Sequence, residues 1–234
     1  MRGLFVTGTD TGAGKSVLSA CLLAAMAAAG EPVRAHKPVV TGLAEAPEGP
    51  WPADHELLGA SCGMAPEEVA PLRFGAPASP HLAAALEGAR IEPAELIANA
   101  RAAGAGPVTL IVEGVGGLLV PLADDYSVAD LAGELGLALV IAARPGLGTL
   151  NHTLLTLEAA RTRGLAVAGV VLGRWPEQPG PLERSNLQTL RRLGEAEILT
   201  LPLLPGPEPA AMAAAGAALP WKRWLEREGE TGHL

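Results

Sequence analysis

Cysteine, aromatic and basic residues are all scarce in this sequence of 234 residues. Two cysteines, Cys21 and Cys62, are too few for a disulfide framework and predict reduced thiols in the cytoplasm. Aromatic residues make up 3 %, which argues against stacking platforms for single-stranded nucleic acid. The 17 Lys and Arg residues against 25 Asp and Glu residues give a net charge of -8, so we expect the chain to bind neither nucleic acid nor an anionic membrane.

Long apolar runs are also absent. The apolar stretch 17–29 ends at Gly30 and Pro32, and it is too short to cross a bilayer core of about 30 Å. The first six residues run into a glycine-rich segment without the layout of a signal peptide. Because 49 % of the residues are hydrophobic and 18 % are charged, we expect one soluble, cytoplasmic domain over residues 1–234 with a frayed C-terminal end.

Short apolar runs alternate with helical stretches along the chain. Continuous apolar runs, without alternation of polar residues, are typical of strands buried on both faces of a parallel sheet. The alternation with helices predicts an α/β fold with a doubly wound, mostly parallel sheet and helices on both faces, in three layers. The predicted strands are Leu4–Thr7, Val33–Lys37, Val108–Val112, Ala138–Ala142, Val167–Leu172 and Ile198–Leu201, with a helix over Ser16–Ala29 after the first strand.

A glycine-rich segment between the first strand and the first helix is the strongest local signal. It reads Gly8-Thr9-Asp10-Thr11-Gly12-Ala13-Gly14-Lys15-Ser16. A phosphate-binding loop has this context, because backbone N–H groups at a helix N-terminus bind phosphate oxygens. Lys15 would reach the β- and γ-phosphates, and Ser16 would offer its hydroxyl to Mg²⁺. The segment has one residue more than the strict pattern, so it predicts a variant P-loop and a fold like that of the P-loop NTPases.

Two acidic residues are candidate metal ligands. Glu113 follows the strand Val108–Val112, so we expect it at the sheet edge where doubly wound folds bind ligands. Gly114 and Gly116 come next and would let the backbone approach a nucleotide closely. Asp54 follows a loop rich in proline and glycine, and it fits a second metal ligand and an N-cap for the helix Glu56–Ala60 equally well.

These motifs together resemble the dethiobiotin synthetases. Five separated segments, between residue 4 and about residue 172, carry the resemblance, and the last third of the chain matches only loosely. The segments are Val6–Ser16, His36–Val39 with Thr41-Gly42, Ser79-Pro80-His81, Val112–Gly117 with Val120-Pro121-Leu122, and Gly146–His152.

The resemblance implies a reaction and its cofactors. The family joins CO₂ to 7,8-diaminononanoate with ATP and Mg²⁺, through a carbamate and a carbamic–phosphoric anhydride, and closes the ring of dethiobiotin as a homodimer. The chain would then be a C–N-forming ligase of biotin biosynthesis, with the diamine and CO₂ or bicarbonate as its small-molecule partners. By resemblance, the catalytic cations are Lys37 and Lys15, the residues lining the phosphates are Thr11, Gly12, Ala13 and Gly14, and the Mg²⁺ ligands are Ser16, Asp54 and Glu113.

The substrate's chain and its carboxylate need further contacts. The resemblance implies substrate contacts at Thr41, at Ser79 and Pro80, and at Thr149, Leu150 and Asn151. The last three residues open a helix whose N–H groups and positive dipole end suit a carboxylate. From the residues alone, Thr149 or Asn151 could equally be a capping residue, and Ser79-Pro80 fits an N-cap followed by the first helical position.

One departure from the family pattern concerns the nucleotide base. The family places an Asn-Asp pair after the strand equivalent to Val167–Leu172, and this chain has Gly173-Arg174 there. The sequence therefore predicts either that backbone around Gly173 and around Pro202, Leu203 and Leu204 holds the base, or that nucleotide preference is relaxed.

A second class of protein shares the P-loop. Partitioning and regulatory ATPases of the ParA/MinD kind carry a lysine five residues before the P-loop lysine, and this chain has Asp10 at that position. The sequence shows no basic amphipathic C-terminal helix suited to a membrane either. This class is kept as the alternative to the ligase.

Overall fold

A six-stranded sheet organises the computed structural model, which describes residues 1–45 and 50–226. The C-terminal end predicted to be frayed, residues 227–234, lies outside the described residues. The strands are β1 (Gly3–Gly8), β2 (Val33–His36), β3 (Val39–Val40), β4 (Leu72–Arg73), β5 (Thr109–Gly117), β6 (Pro121–Ala123), β7 (Tyr126–Ser127), β8 (Ala138–Ala143), β9 (Val167–Trp175) and β10 (Ile198–Pro202). The large sheet has the order β10-β9-β8-β1-β5-β2, and every neighbouring pair in it is parallel.

Helices cover both faces of this sheet. They are α1 (Lys15–Ala28), α2 (Asp54–Cys62), α3 (Pro66–Val69), α4 (Pro80–Leu86), α5 (Pro93–Ala103), α6 (Val128–Leu135), α7 (Thr149–Thr162), α8 (Pro181–Leu193), α9 (Pro209–Ala217) and α10 (Trp221–Glu226). Within residues 1–45 and 50–226, no helix is both long enough and apolar enough to span a membrane.

The predicted fold class is confirmed. All six predicted strands are present, and β1 lies inside the sheet with all of its residues buried. One apolar core lies on the side of α1, α9 and α10, and includes Leu18 and Trp224. The other lies on the side of α5 to α8, and includes Leu96 and Leu157. Burial of both sheet faces explains why the strands read as continuous apolar runs.

Two glycines let helices approach their neighbours closely. A Cβ atom at Gly216 of α9 would lie 1.9 Å from the carbonyl oxygen of Cys21 in α1, so only glycine fits there. A Cβ atom at Gly169 of β9 would lie 3.1 Å from the ring of Trp224, which is fully buried. The C-terminal helices are therefore packed into the core beside α1 and β9.

The prediction for residues 113–117 needs a correction. The sequence predicts Glu113 just after its strand, but β5 continues to Gly117, so Glu113 lies inside the strand. The sequence also predicts that Gly114 lets the backbone approach the nucleotide. A Cβ atom there would lie 2.9 Å from Val128 Cγ1 and 3.2 Å from the Phe5 ring, so core packing also favours glycine at this position, and its approach to a nucleotide stays a prediction.

Candidate active site

A cleft of about 730 Å³ lies where the carboxyl ends of β1, β2, β5 and β9 meet α1, α2 and α4. The sheet edge explains this location, because parallel strands present their following loops on one side. The predicted site residues that line the cleft are Thr11, Gly12, Gly14, Lys15, Ser16, Lys37, Thr41, Asp54, Ser79, Pro80 and Gly116.

The P-loop forms one wall of the cleft and ends at the start of α1. Gly12 and Gly14 have φ angles of 70° and 95°, a left-handed conformation that favours glycine. Gly14 is the N-cap of α1, and no side chain caps the helix there. The backbone N–H groups of the first turn are therefore left for an anion in the cleft.

Asp10 shapes the P-loop from outside. Its Oδ1 accepts a hydrogen bond from the Thr11 N–H at 2.7 Å, and its Oδ2 forms an ion pair with Arg144 at 3.1 Å. The Asp10 carbonyl oxygen accepts a hydrogen bond from Lys15 Nζ at 3.3 Å. Asp10 thus holds the loop and links it to the residue that follows β8.

A cluster of charges lies beside the P-loop, with Lys37 and Glu113 buried and Asp54 partly exposed. Lys37 Nζ lies 2.6 Å from Asp54 Oδ2 and 2.5 Å from Glu113 Oε1. Ser16 Oγ lies 2.6 Å from Asp54 Oδ1 and 2.9 Å from Glu113 Oε1, so its single proton serves one carboxylate at a time. Lys37 is 2 % exposed and Glu113 is 0 % exposed, so this ammonium is held away from bulk water.

Burial and the neighbouring charges set the protonation of the cluster. Burial disfavours the Lys37 ammonium, but Asp54 and Glu113 outweigh it and raise the pKa of Lys37 above its ordinary value. Burial likewise disfavours ionised Asp54, but Lys37 and Ser16 lower its pKa to about 2. Burial, and then the charge of Lys37, lower the pKa of Lys15. At neutral pH the lysine–aspartate pair is ionised.

The same oxygens form a donor set suited to Mg²⁺. Glu113 Oε2 is buried and has no hydrogen-bond partner among the described residues. It belongs to the carboxylate that contacts Ser16, and Asp54 completes a set of hard oxygen donors. The described residues contain no group of three or more His, Cys, Asp and Glu side chains that could hold a metal ion. A few protein oxygens, completed by phosphate oxygens and water, are the usual surroundings of Mg²⁺.

The start of α7 is a second helix N-terminus without a side-chain cap. Gly148 is its N-cap at a φ of 90°, so the alternative in which Thr149 or Asn151 caps the helix is wrong. Thr149 is buried, and its Oγ1 lies 3.3 Å from Thr153 Oγ1. Thr149, Leu150 and Asn151 do not line the cleft.

The remaining predicted residues lie beside the cleft or in the core. Ala13 is buried, and a Cβ atom at Gly173 would lie 3.8 Å from the Ala13 carbonyl oxygen. The Leu203 N–H donates to the Trp175 carbonyl oxygen at 3.0 Å, so the ends of β9 and β10 are joined. Pro202, Leu203 and Leu204 do not line the cleft, and their contact with a base stays a prediction.

Trp51 and Arg174 are among the cleft residues that had no predicted role. Trp51 lines the cleft from the loop before α2. The sequence feature that could have identified it is a large aromatic residue next to Pro52 and close to the predicted metal ligand Asp54. Arg174 lines the cleft from the end of β9, and only its place in the departure from the family pattern marked it.

Comparisons with known proteins agree on one family. The model of a family described as "AAA domain" matches residues 2–209. A protein of Anaeromyxobacter sp. (strain K), named ATP-dependent dethiobiotin synthetase BioD, is 45 % identical over 201 residues, 86 % of this chain and 89 % of that protein. Proteins of the same name from Mycobacterium avium (strain 104) and Bacillus subtilis (strain 168) are 41 % and 36 % identical. They cover 93 % and 85 % of this chain, and 91 % and 86 % of their own length.

Solved structures match the fold at low identity. A ParA family ATPase from Chlorobium tepidum TLS has a TM-score of 0.50 and 14 % identity, with 98 % of each chain covered. Apo McdA from Cyanothece has a TM-score of 0.52 and 13 % identity, again with 98 % of each chain covered. At these identities the likeness establishes the fold alone.

Proposed function

Because this chain belongs to the family of ATP-dependent dethiobiotin synthetases, we propose that it joins CO₂ to 7,8-diaminononanoate and closes the ring of dethiobiotin. It is thus an ATP-dependent ligase that forms C–N bonds. The observation that carries the proposal is the buried Lys37 ammonium, which lies between Asp54 and Glu113 at the start of the P-loop helix.

The proposed reaction has three steps. One amine of the substrate attacks the carbon of CO₂ and loses a proton, which gives a carbamate. A carbamate oxygen attacks the γ-phosphorus of ATP, and ADP leaves, which gives a carbamic–phosphoric anhydride. The second amine attacks the carbonyl carbon and loses its proton, the C–O bond to phosphate breaks, and the cyclic urea closes. No step needs a nucleophile from the protein, so the enzyme has to position the groups and stabilise their charge.

The lysines supply that charge. Lys15 starts the helix that would bind the phosphate tail, and Lys37 is fixed by the two carboxylates that also contact Ser16 Oγ. A preorganised ammonium away from water stabilises the negative charge of the transferring phosphoryl group without reorganising at the moment of reaction. Ser16, Asp54 and Glu113 would hold Mg²⁺, which neutralises charge on phosphate oxygens when it is bound.

The diamine would lie next to these lysines. Thr41, Ser79 and Pro80 line the same cleft as Lys37 and are the proposed contacts for the diamine end. The carboxylate end would meet the N–H groups of Leu150 and Asn151 at the uncapped start of α7, beside Thr149, whose own N–H donates to the Gly146 carbonyl oxygen at 3.3 Å. The backbone near Gly173 and Leu203 is the proposed support for the base.

We propose a homodimer that brings the two parts of the substrate site together. The α7 start lies outside the cleft of its own chain, and Leu147 just before it is 93 % exposed. Leu155 on α7 is 60 % exposed, so two exposed leucines on and beside this helix are available to an interface with a second copy. The two free thiols and the net charge of -8 fit a cytoplasmic enzyme with small-molecule substrates.

The experiment that tests the function measures phosphate release and dethiobiotin formation with ATP, Mg²⁺ and bicarbonate, with and without 7,8-diaminononanoate. We expect both products to depend on the diamine. Lys37→Ala is expected to lower turnover by about 10³-fold or more, because it removes a buried charge at the transferring group. Lys222→Ala is the matched control, because Lys222 is the one lysine of this chain away from the cleft.

The contrary result would be phosphate release that ignores the diamine, which favours a regulatory ATPase of the ParA kind. Lys37→Ala with near-normal turnover would remove the assigned role of Lys37. Circular dichroism of Lys37→Ala shows whether its fold is intact.

A further inference from the structure

Asn186 is a buried amide on α8, facing the loop that precedes α7. The residue is 5 % exposed, and Leu190 is the other buried residue of α8. Burial of an amide costs free energy unless its polar groups find hydrogen-bond partners. An apolar side chain would pack at this position without that cost, so the amide indicates a requirement beyond packing.

The partners of the amide are two consecutive backbone carbonyls. Asn186 Nδ2 donates to the Pro145 carbonyl oxygen at 2.9 Å and to the Gly146 carbonyl oxygen at 3.2 Å. Because both partners only accept hydrogen bonds, the NH₂ group of the amide faces them, and both of its N–H bonds are used. Pro145 and Gly146 are followed by Leu147 and by Gly148, the N-cap of α7. Asn186 thus ties the loop before α7 to α8.

Packing contributes little to the order of this loop. Leu147 is 93 % exposed, and a Cβ atom at Gly146 would meet nothing within 4 Å. Gly148 has a φ of 90°, and a Cβ atom there would come no closer than 3.9 Å to His152. Glycines on both sides of an exposed leucine give the backbone wide conformational freedom. The two hydrogen bonds from Asn186 therefore fix the direction of peptide groups that packing leaves free.

The direction of these carbonyls matters for an anion at the helix start. The first-turn N–H groups of Leu150 and Asn151 belong to the positive end of α7. A carbonyl oxygen carries a partial negative charge, and one that turned towards a bound carboxylate would repel it. Asn186 keeps the oxygens of Pro145 and Gly146 on the amide of α8 and so prevents this turn.

We propose that Asn186 is a positioning residue for the substrate carboxylate, because it holds the Pro145 and Gly146 carbonyls in place and keeps the α7 start receptive to a negative charge. The proposal rests on the proposed function, which places the carboxylate at this helix start. The carboxylate is remote from the two amines that react, so its binding contributes equally to the ground state and the transition state. Loss of Asn186 should therefore raise the KM for 7,8-diaminononanoate and leave kcat unchanged.

The test compares the substrate with its methyl ester, which keeps both amines and the chain but has no negative charge. Asn186→Leu removes both hydrogen bonds and keeps the position filled. We expect steady-state kinetics to show a KM for 7,8-diaminononanoate about tenfold higher, the size of effect that one or two hydrogen bonds produce. The kcat, the KM for ATP and the KM for the ester should each stay within about twofold of wild type. Asn186→Ala removes the same bonds with a smaller side chain and should give the same result, which keeps the test available if Asn186→Leu fails to fold.

Gln188→Leu is the matched control. It makes the same kind of change, from an amide to leucine, on the same helix, but Gln188 is exposed. Its KM values for the acid and for the ester should equal those of wild type. A general weakening of α8 would raise the KM in both variants, whereas the proposed role predicts a rise in the Asn186 variants alone.

Three results with the Asn186 variants would overturn the proposal. They are an unchanged KM for the acid, equal increases in KM for the acid and the ester, or a lower kcat with unchanged KM values. Wild-type protein with equal KM values for acid and ester would overturn the carboxylate site of the proposed function and this proposal with it. Wild-type protein that distinguishes acid from ester, with Asn186→Leu distinguishing them equally well, would overturn this proposal alone.

Discussion

The starts of α1 and α7 have nearly the same backbone and very different surroundings. Both helices have 14 residues, and both begin after a left-handed glycine, Gly14 at a φ of 95° and Gly148 at 90°. Neither has a side-chain cap. Each start therefore offers first-turn N–H groups and the positive end of a helix dipole to an anion, although in α7 the Thr149 N–H donates to the Gly146 carbonyl oxygen.

The side chains decide which anion each start suits. The start of α1 carries Lys15 and Ser16 and adjoins the cluster of Lys37, Asp54 and Glu113. The first turn of α7 has no lysine, arginine or carboxylate, and its buried Thr149 contacts another threonine. The first start suits a multiply charged tail with a metal ion, and the second suits one carboxylate. A left-handed glycine at the N-cap therefore marks a helix start that suits an anion, and the charged side chains nearby determine which anion it suits.

The largest effect is expected from a substitution at the start of α1. Lys15→Ala removes the cation of the first turn, and we expect kcat/KM for ATP to fall by about 10³-fold or more, because the phosphoryl charge loses its partner. Steady-state kinetics measure this loss. Lys222→Ala should keep wild-type kinetics. A Lys15→Ala enzyme that kept most of its kcat/KM would show that the lysine does not distinguish α1 from α7.

A smaller effect is expected at the α7 start. Asn151→Asp places a negative charge in the first turn of α7, and we expect its repulsion of the substrate carboxylate to raise the KM for 7,8-diaminononanoate about tenfold, with kcat and the KM for ATP unchanged in steady-state kinetics. Asn151→Ala is the control, because it removes the same amide without adding a charge. Equal effects of the two variants would mean that the lost amide, and not the charge at the helix start, changes the KM.

Backbone strain gives a third test. Gly148→Ala meets nothing closer than 3.9 Å, at His152, so the positive φ alone should make it unfavourable. We expect a loss of about 1 to 2 kcal/mol in the free energy of unfolding, read as a melting temperature lower by about 2 to 8 °C. Gly146→Ala also meets nothing within 4 Å and lacks a positive φ, so its melting temperature should not change. Equal melting temperatures of the two variants would show that the positive φ at position 148 does not make alanine unfavourable there.

The smallest expected effect concerns the link between the two starts. Asp10 of the P-loop pairs with Arg144, four residues before Gly148, and both side chains are about half exposed. Because an exposed ion pair contributes little, Asp10→Asn should change the free energy of unfolding by at most about 1 kcal/mol and each KM by less than about twofold. Denaturant melts and kinetics for both substrates test this. A selective rise in the KM for the diamine would show that the two starts are coupled.

Local patterns predicted most of what lies close in sequence. Apolar runs located the six sheet strands, and the spacing of Gly12, Gly14 and Lys15 located the P-loop, because both depend on neighbouring residues. The partners of Lys37 could not be predicted in this way, since Asp54 and Glu113 lie 17 and 76 residues away in the chain.

Long-range packing also explains the errors. Glu113 lies inside β5 because pairing with β1 continues as far as Gly117. The packing of Gly114 against Val128 and Phe5 was not predicted either, because only the folded chain brings these residues together. Arg174, with a φ of 53°, likewise lies where the pairing of β9 with β10 shifts register between Leu172 and Trp175.

The placement of the tryptophans has a spectroscopic consequence. Trp51 lines the cleft, whereas Trp224 is buried in the core against Gly169. Indole emission depends on the polarity around the ring, so the two should report on different events. Quenching or a colour shift from Trp51 would follow occupancy of the cleft, and a red shift from Trp224 would follow unfolding. Trp51→Phe keeps the other three tryptophans, so the difference between its emission and that of wild type isolates the Trp51 signal.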